Sequence, residues 1–407
     1  MGLVVQKFGG TSVANIEKIR NVANKAIREK NAGHDVIVVL SAMAGETNRL
    51  IDLAHSAAEL PDEREYDSLI STGEQVTITL LSIVLNSMGY RARSFLGFQV
   101  KILTDTAFKK ARISMIDTHA IEQELKKGSI VVVAGFQGVD EENNITTLGR
   151  GGSDTSAVAL AAALHAERCD IYTDVDGVYT TDPNICAKAR RLDKISYDEM
   201  LEMAMTGAKV LQPRSVEMAK KYDVPVYVKS SFTDEGGTLV TKEDKEMERE
   251  ILSGITYDRD QAKITVVHIP DKPGIAASLF TPLSERNISV DMIIQNASSK
   301  GYTDLTFTVS KKDMKEAQKC VEATAKDIGA QKVEVDDDVA KVSIIGVGMV
   351  SHSGVAAKMF KTMADESINI LMISTSEIKI SCVIQRKYTE LAITVLHDAF
   401  QLEKKHK

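Results

Sequence analysis

The chain has 407 residues, of which 43% are hydrophobic and 26% charged, so it is a folded globular protein rather than a disordered one. Its length predicts about two to three domains. Lysine and arginine number 50 against 57 acidic residues, and the net charge of −7 argues against nucleic-acid binding through a basic surface. The four cysteines form no C-x-x-C pair, which excludes a small disulfide scaffold and favours a reducing, cytoplasmic compartment.

Residues 1–240 alternate short β-branched runs with helical patterns. Strands are expected at Leu3–Val5, Val36–Leu40, Ser129–Ala134 and Asp170–Thr173, and helices at Asn15–Glu29, Glu46–Ala58, Glu65–Met88 and Ser153–His165. This alternation predicts an α/β fold with a mainly parallel sheet covered by helices on both faces. No apolar run is long enough to span a membrane, and no signal peptide is predicted before Leu3.

The character of the chain changes at Lys242–Glu250, a charged stretch without an apolar stripe that we interpret as a partly helical domain boundary. Beyond it the chain repeats itself, because Gly274–Ile293 aligns with Gly354–Ile373 at an offset of 80 residues with seven identical pairs. Each copy follows the order βαββαβ. In the first copy the first strand is Lys263–Ile269, the third strand Thr303–Val309 and the second helix Lys311–Ile328. In the second copy the same elements are Lys341–Val347, Glu377–Ile384 and Tyr388–Phe400.

The first strand leads into the motif KFGGTSV, which holds Lys7, Gly9, Gly10 and Ser12. Glycines let backbone N–H groups approach an anion, a helix N-terminus adds a favourable dipole, and lysine adds a full charge. The motif therefore predicts a phosphate site, although it is not a Walker A loop. The alternative is a tight strand-to-helix turn capped by Ser12.

A second glycine-rich turn, LGRGGSDT, opens the Ala-rich helix and contains Arg150, Gly151, Ser153 and Asp154. Ser153 or Asp154 would serve as a simple N-cap, but a cap requires neither three glycines nor an arginine. The guanidinium fork of Arg150 suits a carboxylate. Two anion-accepting turns in one chain predict a polyphosphate and an acid as substrates, and the dinucleotide fingerprint G-x-G-x-x-G is absent.

A third segment, Tyr172–Pro183, has the sequence YTDVDGVYTTDP, and its Asp-Gly and Asp-Pro pairs are also typical of a surface loop. As a nucleotide site it would use Tyr179 for stacking and Thr173 and Asp182 for hydrogen bonds, with Lys209 reaching the phosphates. Chemistry alone assigns no role to Glu74 or Thr47. The histidines and cysteines show no metal-ligand spacing, so we predict no protein-ligated metal.

The chain carries, in this order, the motifs KFGGTSV, STGE, LGRGGSDT and YTDVDGVYTTDP, followed by the paired modules. With these motifs in this order it resembles the monofunctional, feedback-regulated aspartate kinases of the amino acid kinase family. The resemblance implies a three-layer αβα kinase domain over residues 1–245. It also implies transfer of the γ-phosphoryl group of ATP to the β-carboxylate of L-aspartate, the first step towards lysine, threonine and methionine. Mg²⁺ would be held mainly by phosphates and water.

The resemblance also implies residue roles. Lys7 would bridge the phosphates, Asp154 would orient Lys7, and Ser153 would belong to the same turn. Contacts to aspartate would come from Ser41, Thr47, Glu74, Arg150 and Gly151. Contacts to ATP would come from Lys7, Gly9, Gly10, Thr173, Asp174, Tyr179, Asp182 and Lys209.

The repeated modules over residues 246–407 resemble ACT domains, which implies feedback inhibition by lysine, threonine or both. The first module would span about 264–336, inserted within a second formed by about 250–260 and 340–404. Effector contacts would come from Asp271, Gly274, Ile275, Ala276, Gln295, Asn296, Asn369, Ile370 and Ser376. ACT domains imply a homo-oligomer, a dimer or tetramer, or pairing with a regulatory subunit started internally at Met247.

Four positions depart from the common family pattern: Asn184, Gln212, Ser353 and Ala356. Asn184 bears on ATP affinity, and the last two bear on the identity of the effector. Two alternatives remain open from the sequence. One is an amino acid kinase acting on glutamate, N-acetylglutamate or a nucleotide. The other is a non-catalytic amino-acid sensor.

Overall fold

The computed structural model describes residues 2–234, 236–244, 247, 250–296 and 301–405. The chain divides into two units. Unit 1 comprises Met1–Val178, Arg191–Met205 and Lys209–Met247, and unit 2 comprises Tyr179–Arg190, Thr206–Ala208 and Glu248–Lys407. Two short segments of the first 240 residues thus fold with unit 2. Four of the nine residues of Lys242–Glu250, where partly helical structure was expected, lie outside the described residues, and residues 242–244 are not helical.

Unit 1 is an α/β domain, as the alternating sequence pattern predicts. Its strands are β1 (Leu3–Phe8), β2 (Asp35–Leu40), β3 (Ala92–Phe95), β4 (Ile102–Thr104), β5 (Ile113–Ile116), β6 (Ile130–Ala134), β7 (Gln137–Val139), β8 (Ile145–Thr147), β9 (Arg168–Thr173), β10 (Lys194–Ser196), β11 (Val226–Ser230) and β12 (Thr238–Thr241). Its helices are α1 (Ile16–Asn31), α2 (Glu46–Ala57), α3 (Glu63–Ile70), α4 (Thr72–Ser87), α5 (His119–Lys126), α6 (Gly152–Ala163), α7 (Tyr197–Met205) and α8 (Pro213–Tyr222).

The central sheet has eight strands in the order β10-β12-β11-β9-β1-β2-β6-β3, and its pairings are parallel except between β11 and β12. One face packs against α1 and α4, with Phe8, Val38 and Leu40 in that core. Helix α6 packs against β1, β2 and β9. Because side chains alternate along a strand, Lys7 points away from the core that holds Phe8 and towards α6.

The single helix expected over Glu65–Met88 is interrupted at Ser71, which separates α3 from α4. The hydroxyls of Ser71 and Thr72 donate to the carbonyl oxygens of Ser68 and Leu69, so side chains satisfy backbone acceptors at the break. Within Glu63–Ser87 an 18-residue window is apolar and long enough to cross a membrane, but 56% of that window is buried inside the fold. A core position accounts for its apolar character.

Unit 2 contains two modules that share one six-stranded sheet, in the order β14-β15-β13-β16-β18-β17. The strands are β13 (Gly254–Pro270), β14 (Val290–Gln295), β15 (Tyr302–Val309), β16 (Lys332–Ile345), β17 (Ile370–Thr375) and β18 (Lys379–Gln385). The helices are α9 (Ile275–Glu285), α10 (Met314–Asp327), α11 (Val355–Asp365) and α12 (Thr389–Ala399).

The long strands β13 and β16 run through both modules. The first part of β13 pairs with the second part of β16, and Ile255 packs in the core that holds Met359 and Leu396. The second part of β13 pairs with β15, and Ile264 packs in a separate core with Phe307. The chain therefore enters the second module, completes the first, and returns to the second.

The sequence repeat has a direct structural counterpart. Gly274 and Gly354 precede α9 and α11 with positive φ angles of 96° and 91°, a conformation that glycine adopts without a steric penalty. Met292 and Met372, an identical pair in the alignment, are both buried in the cluster that includes Val339 and Val383. The two edge strands, β14 and β17, are thus equivalent positions of the duplicated fold.

Candidate functional site

The glycine-rich turn after β1 is built for close backbone approach. Gly10–Val13 forms a short 3-10 helix, and the N–H of Ser12 donates to the carbonyl of Gly9 at 3.0 Å. A Cβ on Gly10 would lie 2.8 Å from the carbonyl oxygen of Ala42, so only glycine fits there without a shift. The Ser12 hydroxyl contacts the Ser231 hydroxyl at 2.5 Å, and Asn15 caps α1 instead. The interpretation of Ser12 as the cap is therefore wrong.

The two glycine-rich motifs meet through an ion pair. Lys7 Nζ lies 2.5 Å from Asp154 Oδ1, and both side chains are largely buried. Asp154 is in the first turn of α6, whose N-cap is Gly151 without a side-chain cap. Neither Ser153 nor Asp154 is an N-cap, because Asp154 pairs with Lys7 and Ser153 accepts a hydrogen bond from the Ser41 hydroxyl at 2.9 Å.

The loop after β2 is held by α4. The N–H of Ala42 donates to Glu74 Oε1 at 3.0 Å, and the Thr77 hydroxyl donates to the carbonyl oxygen of Ser41 at 2.9 Å. A Cβ on Gly73 would lie 2.8 Å from Ala42 Cβ, which explains the glycine before Glu74. The STGE segment therefore positions the loop that begins at Ser41.

Glu74 is the most perturbed carboxyl group in this region. The residue is 2% exposed, and its Oε2 is buried without a hydrogen-bond partner. Burial raises the pKa of Glu74 to about 8, and the N–H of Ala42 only partly opposes that shift. A buried acidic group with one unsatisfied oxygen is able to receive a cationic ligand group.

The other residues expected to contact aspartate are Arg150, Gly151 and Thr47. Arg150 is exposed at the turn before α6, and Thr47 is half-buried in the first turn of α2. A Cβ on Gly151 would collide with the side chain of Gln212, and the φ of Gly151 is 73°. Gln212, one of the four positions that depart from the family pattern, thus packs directly against the turn and lies next to the proposed acceptor residues.

The residues expected to bind ATP are divided between the units. Thr173 comes directly after Tyr172, whose ring stacks on that of Phe8 with the ring centroids 4.4 Å apart. The Thr173 hydroxyl donates to Asp174 Oδ1 at 3.0 Å. Lys209 is exposed in unit 1. Tyr179 and Asp182 belong to unit 2.

Asp182 is heavily engaged inside unit 2. Its Oδ2 accepts a hydrogen bond from the Tyr257 hydroxyl at 2.9 Å, and its Oδ1 accepts from the backbone and side chain of Asn184 at 2.9 and 3.0 Å. Asn184 thus braces the Asp182 carboxylate. Sequence reasoning missed the Tyr257 contact, and 75 residues of separation leave no local signal for it.

The buried Asp170 on β9 is a second charge cluster beside β1. Lys229 lies 2.9 Å and Arg168 3.2 Å from its carboxylate, and Arg168 also pairs with Glu29. Burial raises the pKa of Asp170, and the two cations oppose that shift. This network was not recognised from the sequence, because its members belong to three separate elements.

The residues expected to bind an effector lie at exposed ends of unit 2. Asp271, Gly274 and Ala276 are exposed around the start of α9, where Ile275 is half-buried. Gln295 ends the edge strand β14, with Asn296 following it, and both are exposed. At the equivalent edge, β17 begins at the half-buried Ile370 after the exposed Asn369, and the exposed Ser376 follows its end.

One group of possible metal ligands occurs among the described residues. A ligand atom from each of His397, Asp398 and Glu403 lies within 4.8 Å of the other two. Asp398 already pairs with Lys188 at 2.7 Å, so this carboxylate has a counter-ion.

Family models and curated relatives identify the family of the chain. A model described as the amino acid kinase family matches residues 2–230, and an ACT domain model matches residues 264–324 and 342–400. The aspartate kinase of Pseudomonas fluorescens is 58% identical over 406 residues, covering 99% of this chain and 98% of that protein. The aspartokinase of Helicobacter pylori strain 26695 is 50% identical over 405 residues, covering 98% and 100%.

Solved structures give the same comparison at lower identity. Aspartokinase III of Escherichia coli in complex with aspartate and ADP (R-state) is 29% identical, with a TM-score of 0.81 and coverage of 98% of this chain and 99% of that one. The same enzyme in complex with lysine and aspartate (T-state) has a TM-score of 0.76 at the same identity and coverage.

Proposed function

The chain belongs to the aspartokinases of the amino acid kinase family, and we propose that it transfers the γ-phosphoryl group of ATP to the β-carboxylate of L-aspartate. The products are 4-phospho-L-aspartate and ADP. The observation that carries the proposal is the Lys7–Asp154 ion pair, because it joins the two anion-accepting turns. A reaction between a polyphosphate and an acid requires those two turns to work together.

The proposed reaction requires neither a general base nor a covalent intermediate from the protein. The attacking β-carboxylate is already ionised at neutral pH, so the reaction needs no general base. Catalysis then consists of positioning the two substrates and stabilising charge on the transferring phosphoryl group. Lys7 supplies that charge, and Asp154 orients Lys7 through the 2.5 Å pair. The N–H groups after Gly9 and Gly10 bind phosphate oxygens at the turn.

Mg²⁺ fits this arrangement as a companion of ATP. Mg²⁺ prefers oxygen ligands and usually keeps several waters, and it bridges substrate phosphates readily. Asp154 is engaged by Lys7, so the phosphate oxygens supply most of the coordination in our proposal. The ion would neutralise charge on the β- and γ-phosphates.

We assign the acceptor site to Arg150, Glu74, Thr47, Ser41 and Gly151. Arg150 binds a carboxylate of aspartate through its guanidinium fork, and Glu74 binds the ammonium group through its unsatisfied Oε2. Ser41 adds a hydrogen bond from the loop after β2 and Thr47 one from the first turn of α2, and Gly151 keeps the turn open. We propose nucleotide contacts from Lys7, Gly9, Gly10, Thr173, Asp174 and Lys209 in unit 1 and from Tyr179 and Asp182 in unit 2.

We expect ADP release by the purified full chain to depend on L-aspartate and to be far slower with L-glutamate. The physical reason is length, because one added methylene moves the reactive carboxylate relative to the γ-phosphate when the ammonium and α-carboxylate stay bound. A coupled ADP assay with aspartate, glutamate, N-acetylglutamate and nucleotide acceptors measures this. Equal rates with aspartate and glutamate would exclude the assignment, and amino-acid binding without turnover would favour a sensor.

We further propose that unit 2 binds lysine, threonine or both and inhibits the reaction. Relatives support this, because aspartokinase III of E. coli has been solved in complex with lysine and aspartate. The candidate contacts are the ones given above around the start of α9 and the two edge strands. The exposed loops after β13 and at the ends of β14 and β17 suit a small polar ligand.

Gln295→Ala is expected to weaken feedback inhibition about tenfold, because an amide that binds the effector is worth roughly one to two hydrogen bonds. The matched control is Gln318→Ala on α10, where the amide donates only to Glu322. Inhibition curves with lysine and threonine, separately and together, measure the effect. Unchanged inhibition in Gln295→Ala would place the effector elsewhere.

The edges of the six-stranded sheet favour association between copies. Edge strands β14 and β17 present unpaired backbone groups, and Ile293 and Ile373 on them are 52% and 40% exposed. We propose a homodimer or homotetramer through unit 2, or pairing with a regulatory chain started at Met247. Native mass spectrometry of the complex distinguishes these assemblies. We place the protein in the cytoplasm, in keeping with the buried thiols of its four free cysteines.

A further inference from the structure

Two segments that contain or directly precede proposed nucleotide residues pack against one short stretch of strand β13. The first segment, residues 179–190, carries Tyr179 and Asp182. The second segment, Thr206–Ala208, immediately precedes Lys209. Both fold with unit 2, although the chain on either side of each belongs to unit 1.

Residues 255–257 of β13 make the contacts. The N–H of Ile255 donates to the carbonyl oxygen of Thr180 at 2.7 Å, and the Tyr257 hydroxyl donates to Asp182 Oδ2 at 2.9 Å. From the neighbouring position, the Thr256 hydroxyl contacts the Thr206 hydroxyl at 2.6 Å, and both residues are buried. Consecutive residues of one strand thus hold both nucleotide segments.

Close packing reinforces the second contact. A Cβ on Gly207 would collide with the carbonyl oxygen of Tyr257, and the φ of Gly207 is 125°. A glycine is therefore required where Thr206–Ala208 crosses β13.

Helix α12 holds the first segment from another side. His397 is fully buried, and its Nε2 lies 3.0 Å from the Thr180 hydroxyl, which also accepts the N–H of Arg190 at 3.0 Å. Cys186 of the same segment packs in the core with Ile255. The segment is therefore anchored in the hydrophobic core of the second module through Cys186.

Strand β13 also leads to the proposed effector loop. The strand is continuous from Gly254 to Pro270, and Asp271 and Gly274 follow directly. A shift of this strand on effector binding would reach residues 255–257 without leaving the sheet. Coupling between two sites requires an element that both sites bias, and β13 is the element that connects these two sets of residues.

We propose that Tyr257 and Thr256 are positioning residues, which set nucleotide affinity by holding Tyr179, Asp182 and Lys209 and connect the effector loop to them. This inference rests on the proposed function, because it uses the assigned nucleotide residues. The quantity under control is ATP affinity rather than the chemical step. Effector binding therefore changes nucleotide affinity, and by linkage the nucleotide changes effector affinity by the same factor.

The test compares three substitutions on the same strand. Tyr257→Phe removes one hydroxyl donor, Thr256→Val removes the contact to Thr206, and Thr265→Val is the matched control. Thr265 makes an equivalent hydroxyl contact to Thr306 at 3.1 Å, but it touches neither nucleotide segment. Thr256→Ser restores the hydroxyl and is the rescue variant.

Calorimetry with a non-hydrolysable ATP analogue, without aspartate, gives the nucleotide Kd, and steady-state assays give kcat and each KM. We expect Tyr257→Phe and Thr256→Val to weaken nucleotide binding about three- to tenfold, with the KM for aspartate changed less than about twofold. Thr265→Val and Thr256→Ser should match the wild type. The effect of lysine or threonine on the nucleotide Kd should shrink in the first two variants.

Wild-type nucleotide affinity in both Tyr257→Phe and Thr256→Val would overturn the inference, as would an equal loss in Thr265→Val. The binding measurement needs no acceptor. Tight analogue binding without aspartate-dependent ADP release would therefore reject the proposed function and leave this inference standing. A wild-type chain that binds no nucleotide would reject both.

Discussion

Replacing Lys7 by alanine is expected to lower kcat at least about 1000-fold, because in the proposed mechanism the lysine supplies fixed positive charge to the transferring phosphoryl group. The ammonium group lies 2.5 Å from Asp154, and the side chains of both residues are largely buried. Single-turnover measurement of ADP formation at saturating ATP and aspartate separates this loss from a change in binding. A kcat close to that of the wild type would refute the assignment.

The single substitution has a structural side effect that its control must address. Removing one member of a buried ion pair leaves the other charge uncompensated, at a cost of about 3–5 kcal/mol. The double variant Lys7→Met, Asp154→Asn removes both charges and should regain thermal stability without regaining turnover. Lys30→Ala, which breaks the more exposed Lys30–Asp35 pair, should retain full activity. Recovery of turnover in the double variant would contradict a direct role for Lys7.

Replacing Glu74 by glutamine is expected to raise the KM for aspartate about 30- to 1000-fold, the range for truncating one partner of a buried charge pair. The amide has nearly the same shape and can still accept the N–H of Ala42, so the loop after β2 should keep its position. Initial rates over a wide aspartate range measure the effect. A KM within twofold of the wild type, about the limit of such a comparison, would remove Glu74 from the acceptor site.

The raised pKa of Glu74 gives the same prediction a pH signature. With a pKa of about 8, the carboxyl group is mostly protonated at neutral pH and must lose its proton to bind an ammonium group. The KM for aspartate should therefore fall up to about tenfold per unit as pH rises towards 8, and then level off. Glu74→Gln should lose this dependence. A pH-independent KM in the wild type would contradict the ionisation step.

Stability should move in the opposite direction to activity. Because folding raises the pKa of Glu74 from 4.5 to about 8, its favourable contribution is complete below 4.5 and is lost as pH rises through 8. Glutamine does not ionise, so Glu74→Gln should be more stable than the wild type near pH 8, by up to about 4 kcal/mol. Melting curves at acidic and alkaline pH test this. A variant that melts at a lower temperature than the wild type at pH 8 would contradict the conclusion that burial destabilises the ionised Glu74 carboxylate.

Much of the fold follows from local patterns. Continuous apolar runs such as Val36–Leu40 correctly predicted parallel strands, and the 80-residue repeat predicted two modules whose glycine turns and buried methionines coincide. The glycine-rich motifs predicted anion sites because backbone approach requires residues without a Cβ. The break at Ser71 escaped prediction, because hydroxyl groups that cap carbonyls inside a helical pattern give a weak signal.

The site itself needed more than pattern. Lys7 and Asp154 are 147 positions apart, and only parallel pairing of β1 with its neighbours brings the strand end to the start of α6. From the sequence alone, Glu74 would be interpreted as a solvent-exposed helix residue. Its burial depends on Ala42 and Gly73 packing against each other. Nothing near either residue in the sequence reports these contacts.

The sequence by itself determined the length, the repeat, the net charge of −7 and the two glycine-rich turns, because each depends on neighbouring residues or on composition. For the proposed reaction, this charge implies that local cations such as Lys7, Arg150 and Lys209, rather than the whole protein, attract the anionic substrates. Only the tertiary structure decided that Glu74 is buried and that residues 179–190 and 206–208 fold with unit 2. Burial and docking depend on side chains far away in the sequence, and their packing exists only once the chain has folded.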